Sequence, residues 1–281
     1  MERGKLIFRK TERELSRLTS EQHAEAVHGF RTASRRLEIL LEQLLPSSDR
    51  SNRKLLKMLH RIRRRAGRVR DLDVQLAALR SLKVPLEPRR KTQLMQRLIE
   101  LRVQHEKRLA KLLTKNEVRG IRRRLKKASK SARWKAGRDP FEVSRQILRS
   151  VPVPEGPASD ERLHQYRVAV KQARYAAEFA AKSRAAAQRV EELQRLQDAL
   201  GNWHDWQRLT QTATEQFGDL HQSSLVAALN NVTRGKFRQA VAALAAAAVG
   251  LAGEKKTSGS EVSSEAARKA PGSAGRTKTA A

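Results

Sequence analysis

The chain spells one helical string twice, V-H-G-F-R-T-A-S-R-R-L at 27–37 and L-H-Q-Y-R-V-A-V-K-Q-A at 163–173. In each, a histidine is followed at +3 by an arginine and at +7 by a cation: His28, Arg31 and Arg35, then His164, Arg167 and Lys171. Steps of three and four bring the members of each row onto one face of a helix. Apolar residues fill another face: Val27, Phe30, Leu37, Leu41 and Leu44 in the first segment, and Leu163, Tyr166, Val170, Ala173 and Ala177 in the second. Arg174 extends the second row. A further pair follows at nearly equal distances, Gly67-Arg68-Val69-Arg70-Asp71 and Gly201-Asn202-Trp203-His204-Asp205, both fitting G-x-x-[Arg/His]-Asp. Two matched pairs in the same order predict a duplicated helical unit, with repeats at about 15–150 and 158–253.

Breakers set the expected boundaries. Pro46 to Asp49 ends the first long helix, Val84 to Pro88 separates a second from a third, and Asp139-Pro140 caps another. The densest Pro/Gly stretch, Val151 to Pro157, is read as the linker between halves, with Ser159-Asp160 opening the second motif helix. No segment alternates like a strand, and Ala and Leu dominate the apolar positions, which suits close-packed helices. The expected fold is all-α: two pseudo-symmetric antiparallel helical bundles forming a single domain over 1–253. From Glu254 to the end large apolar residues are almost absent, so 254–281 is expected to be a disordered tail.

The net charge is +31, from 60 Lys+Arg against 29 Asp+Glu. The tail holds six Lys/Arg and three Glu, so +28 sits on the folded body. Such a surface attracts polyanions: nucleic acid, an anionic membrane, or a polyphosphate-like chain. Cysteine is absent, which excludes disulfides and thiolate metal sites. The start lacks the apolar core of a secretory signal, and the longest apolar run, Val241–Val249, is too short to span a bilayer. The expected location is cytoplasmic.

Arginine forks suit phosphate oxygens, and a histidine among cations is held mostly neutral while still donating a hydrogen bond. Two such rows facing each other would line a groove for a flexible polyanion. Asp71, Asp73 and Asp205 are read as carboxylates that orient arginines. No P-loop, G-x-S-x-G or H-E-x-x-H string occurs, and a strongly positive field disfavours metal binding. The sequence is therefore read as a non-enzyme with no catalytic residues, metal or cofactor. Trp134, Trp203 and Trp206 are read as packing residues, and the few aromatics among the cations argue against a single-strand nucleic-acid binder.

At these motifs the chain resembles the CHAD family, the conserved histidine α-helical domain. The strings at 27–37, 67–74, 163–175 and 196–205 carry the resemblance, which covers roughly 15–250. It implies two four-helix-type bundles and a basic central surface that binds inorganic polyphosphate, without catalysis by the domain alone. Carried over by position, the implied contacts are His28, Arg31, Arg35, Arg36 and Arg70, with His164, Arg167, Lys171 and Arg174 from the second half. The chain departs from the pattern at Glu38, where the family tends to carry a cation. It departs again at Gln172, which replaces the second basic residue of a pair, and at His204, which replaces the later arginine. Relatives fused to a triphosphate-processing domain carry E-x-E-x-K, which is absent here.

The leading expectation is a polyphosphate-binding module that targets polyphosphate or storage granules. Alternatives are a nucleoid- or RNA-associated protein binding nucleic acid nonspecifically, a phosphohydrolase using His28 and Asp71, and a granule-coat protein acting through an Ala/Leu-rich last helix at 225–251. The sequence leaves the oligomeric state open.

Overall fold

A computed structural model describes residues 2–45, 50–83, 87–132, 137–152, 160–180, 183–219 and 221–266, with side chains described between 4 and 247. Among the described residues there are nine helices and no strand. They are α1 (Glu2–Ser20), α2 (Ala24–Ile39), α3 (Arg50–Ser81), α4 (Pro88–Ala110), α5 (Lys115–Ser131), α6 (Pro140–Arg149), α7 (Asp160–Ala177), α8 (Arg184–Phe217) and α9 (Ser224–Ala266). The all-α expectation holds.

Local chemistry fixes the helix ends. His23 caps α2 by accepting from the Ala26 amide at 3.0 Å, and Thr114 caps α5 through the Glu117 amide at 3.3 Å. Asp139 caps α6 through the amides of Phe141 and Glu142, with Pro140 in the first turn, as the sequence suggests. α2 does not simply stop: Leu40–Leu44 continue as a π-helical turn, closed by the Leu45 amide on the Leu40 carbonyl at 3.0 Å. Widening the turn lets Leu40, Leu41 and Leu44 all reach the core.

Neighbour order repeats along the chain. α1 packs on α2, α2 on α3 and α3 on α4, while α6 packs on α7, α7 on α8 and α8 on α9. α5 lies against α1 and α3, and α2–α7 and α3–α8 contacts join the two sets. The segment 140–149, which the sequence reading places in the first half, touches both cores: Val143 joins the first cluster. α6 lies mainly against α7, and its Leu148 joins the core shared by α7, α8 and α9. A short amphipathic helix is claimed by whichever core its apolar face meets, a long-range fact that a Pro-rich linker does not reveal.

Three apolar clusters hold the molecule. The first centres on Phe30, Leu37, Leu59, Ile62 and Ile121, each fully buried. The second gathers Leu163, Tyr166, Leu200 and Trp203 with Leu244 of α9. The third joins the far ends of the two longest described sets, with Leu79, Leu94 and Leu98 packed with Leu209, Leu225 and Leu229. Each fully buried leucine contributes roughly 1.5–3 kcal/mol of transfer free energy. Trp203 is a core residue, edge-on to Phe237 at 6.1 Å, and Trp206 packs against the third cluster. Trp134, Pro46–Asp49 and most of the 151–157 linker lie outside the described residues. α9 runs to Ala266, with no side chain described beyond 247, and 267–281 lie outside the described residues.

Candidate functional site: a cationic cluster at the α2–α7 crossing

Burying Ala26, Val27, Phe30, Ala33 and Leu37 leaves His28, Arg31 and Arg35 on the other side of α2. Burying Leu163, Tyr166, Val170 and Ala173 does the same for His164, Arg167 and Lys171 on α7. Because α2 and α7 pack together, the two rows meet. Arg31, Arg35 and Arg167 all exert their charge on Lys171, and Lys171 in turn acts on His28.

The second motif pair closes on the first within each half. Arg70 of α3 acts on His28, and His204 of α8 acts on His164, their rings 5.3 Å apart. Asp71 supports the charge of Arg31, and Asp205 supports that of Arg167. The carboxylates also reach across, Asp71 to Arg167 and Asp205 to Lys171. Asp73 instead pairs with Arg102 of α4 at 2.7 Å. All three aspartates thus act on cations, as the sequence reading holds.

Gly67 has a specific role here. A Cβ at this position would stand 2.3 Å from Nη1 of Arg31. Without it, the guanidinium lies over the α3 backbone, with Nη1 donating to the Arg63 carbonyl at 3.4 Å. Gly201, its counterpart, faces open space.

The electrostatics follow from crowding. Burial, then the charges of Arg167, Arg35 and Arg31, lower Lys171 to about 8, against an opposing pull from Asp205. Burial also pushes Arg31, Arg35 and Arg167 below the usual arginine value, with neighbouring arginines adding to it. His28 and His164 are lowered by burial and then by the cations beside them, so both are neutral at pH 7. Nε of Arg167 is buried with no hydrogen-bond partner among the described residues. One unmet donor and depressed cation pKa values in one place describe a site where two carboxylates do not balance the cations.

Two implied contacts are held by a carboxylate instead, although the charge of Arg36 still reaches His28. Arg36 forks onto Glu178, with Nε–Oε2 at 2.5 Å and Nη2–Oε1 at 3.0 Å. Arg174, 8% exposed, bonds the same carboxylate and Gln197. The Tyr175 ring lies 4.6 Å from the Arg174 guanidinium carbon and 5.4 Å from that of Arg36. Arg174 is therefore not on the open side of α7: the last turn of that helix also packs into the first core, through Tyr175 and Ala176. Glu38, a departure from the family pattern, receives Arg63 at 2.5 Å. Arg208 was missed by the sequence reading; it acts on both His164 and Arg167, and its signal was the i+4 step from His204.

Among the described residues, no group of three or more His, Cys, Asp or Glu side chains is placed to hold a metal ion. No described helix is long and apolar enough to cross a membrane.

An all-α protein with paired His–Arg rows brought to one crossing is a recognisable class, and the comparisons define it. The CHAD domain model matches residues 5–214, and the chain belongs to that family. Its fold is similar to the crystal structure of the CHAD domain from the plant Ricinus communis, with TM-score 0.59 and 18% identity over 85% of this chain and 88% of that one. It is also similar to PptA from Streptomyces chartreusis, with TM-score 0.58 and 14% identity over 85% of this chain and 93% of that one. No curated protein matches the sequence.

Proposed function

We propose that this chain is a polyphosphate-binding module whose site is the cluster at the α2–α7 crossing. The observation that carries the reading is the convergence of Arg31, Arg35, Arg167 and Lys171 from two separate strings onto one another. Cations that merely decorate a surface repel and point apart. Here they are held together at an electrostatic cost, which a chain of closely spaced phosphates would relieve. Membership of the CHAD family, which is linked to polyphosphate binding in general, supports the same ligand. Arg36 and Arg174 act as supports that fix α2 against α7, and His28 and His164 are edge contacts that gain charge when an anion arrives. The module binds without turnover and directs the protein to polyphosphate or storage granules.

The test is direct competition between long-chain polyphosphate and duplex DNA at physiological salt, where exposed charges are screened beyond about 8 Å. Polyphosphate is expected to win on the wild type. An R31A/R35A/R167A/K171A variant is expected to bind polyphosphate more weakly, with its preference over DNA reduced. Equal competition by DNA, or an unchanged preference in the variant, would replace this reading with a general nucleic-acid binder.

A further inference from the structure

The cluster absorbs few of the arginines on α3. Residues 61–70 contain Arg61, Arg63, Arg64, Arg65, Arg68 and Arg70. Arg63 is buried against Glu38, and Arg70 faces His28. The rest point elsewhere. Lys54, Lys57, Arg61, Arg64, Arg65 and Arg68 are exposed and line one cleft of about 650 Å³ between α3 and α5. Their spacing places them roughly a third of a turn around α3 from Arg63, Gly67 and Arg70. The stripe from Lys54 to Arg68 runs about 21 Å along the helix at 1.5 Å per residue. One carboxylate, Glu117, enters the cleft, and it pairs with Arg61. At the α4 side, the charges of Arg68 and Arg65 reach His105, whose Nδ1 is buried without a hydrogen-bond partner among the described residues.

We propose that this outer cleft is a second, independent site for linear polyphosphate. Its lining supplies roughly three cations every two helical turns and one aromatic ring, the imidazole of His60, so it offers a row of contacts to phosphate but no succession of platforms for stacked bases. The cleft is concave, and its cations run along one side of α3, an arrangement that suits a linear chain of phosphates. The inference rests on the functional reading only for the identity of the ligand; the cleft and its cations stand apart from the crossing.

Two sites, one at the α2–α7 crossing and one on the outer side of α3, have a consequence that neither has alone. A single protein can hold two polyphosphate strands, or two passes of one strand, at high effective concentration. It would then cross-link the polymer as well as coat it.

Titration calorimetry with a short polyphosphate, unable to reach both faces, distinguishes the cases. The wild type should bind two molecules per chain. A K54S/K57S/R64S/R68S variant, its helix content checked by circular dichroism, should bind one and no longer make long-chain polyphosphate turbid. The R31A/R35A/R167A/K171A variant should also retain one, at the outer cleft. One site in the wild type, lost only in the second variant, would overturn the outer site and leave the crossing intact. Two sites persisting in the first variant would show the stripe to be a solvated face. Loss of all binding in the first variant, with none lost in the second, would instead overturn the crossing as the functional site. Displacement of polyphosphate from the outer cleft by duplex DNA would reassign that cleft to nucleic acid.

Discussion

Lys171 shows what the site costs at the scale of one residue. Its pKa falls from 10.5 to about 8 because it is buried beside three arginines. The unfolded chain therefore holds this proton over a range where the folded protein has released it. Stability from this group is fully present above 10.5 and is lost as pH falls through about 8. At pH 7 the folded protein carries a strained charge, worth on the order of 3 kcal/mol for a shift of this size. K171M is thus expected to melt higher than wild type at pH 7, with the gap closing as pH approaches 10.5. The same variant should bind polyphosphate more weakly at pH 7. Wild-type affinity should decline above pH 8 and strengthen only below the ordinary histidine range, because burial and neighbouring cations hold His28 and His164 down. Thermal melts and affinity measured across pH check both arms; a K171M variant no more stable than wild type at pH 7 would refute the strain. Such a trade is expected where function needs like charges held together.

At the scale of helices, the junction of α2 and α7 depends on one carboxylate. Glu178 receives Arg36 from α2 and Arg174 from α7, and both arginines flank Tyr175. Removing its charge leaves one buried and one half-buried guanidinium group facing each other. E178Q is expected to lower stability by roughly 1–3 kcal/mol, the range for losing a charge-assisted partner. Polyphosphate should restore more stability to E178Q than it adds to wild type, because the freed cations accept an anion. Denaturant midpoints with and without polyphosphate measure this, and equal increments in the two proteins would count against it. This junction also marks where the sequence stopped being legible. The rows on α2 and α7 could be read because helical periodicity ties each side chain to a face. The fates of Arg36 and Arg174 depended on an acid outside the motif and on a helix end that packs into both cores. No spacing rule carries that information. Asp71 and Asp205 were legible as partners of arginine because a carboxylate in so basic a chain has few other roles. The packing of α6 was not legible, because its apolar face is divided between two cores, with Val143 in the first and Leu148 in the second.

At the scale of the whole molecule, a net charge of +31 makes salt act on folding and binding in opposite directions. Without a polyanion, cations repel across the folded body, and added salt should stabilise the protein by screening them. Binding should weaken with salt instead, since each phosphate neutralised releases a counterion. The slope of log affinity against log salt then counts the phosphate contacts. Removing Arg31, Arg35, Arg167 and Lys171 should reduce its magnitude by roughly one for each true contact. Replacing four exposed arginines away from both clefts should leave the slope nearly unchanged, because screened surface charges contribute little individually. A dedicated site therefore predicts a difference between two variants of identical net charge. If both lose slope equally, binding follows total charge alone, and the convergence of the two rows has no bearing on the ligand.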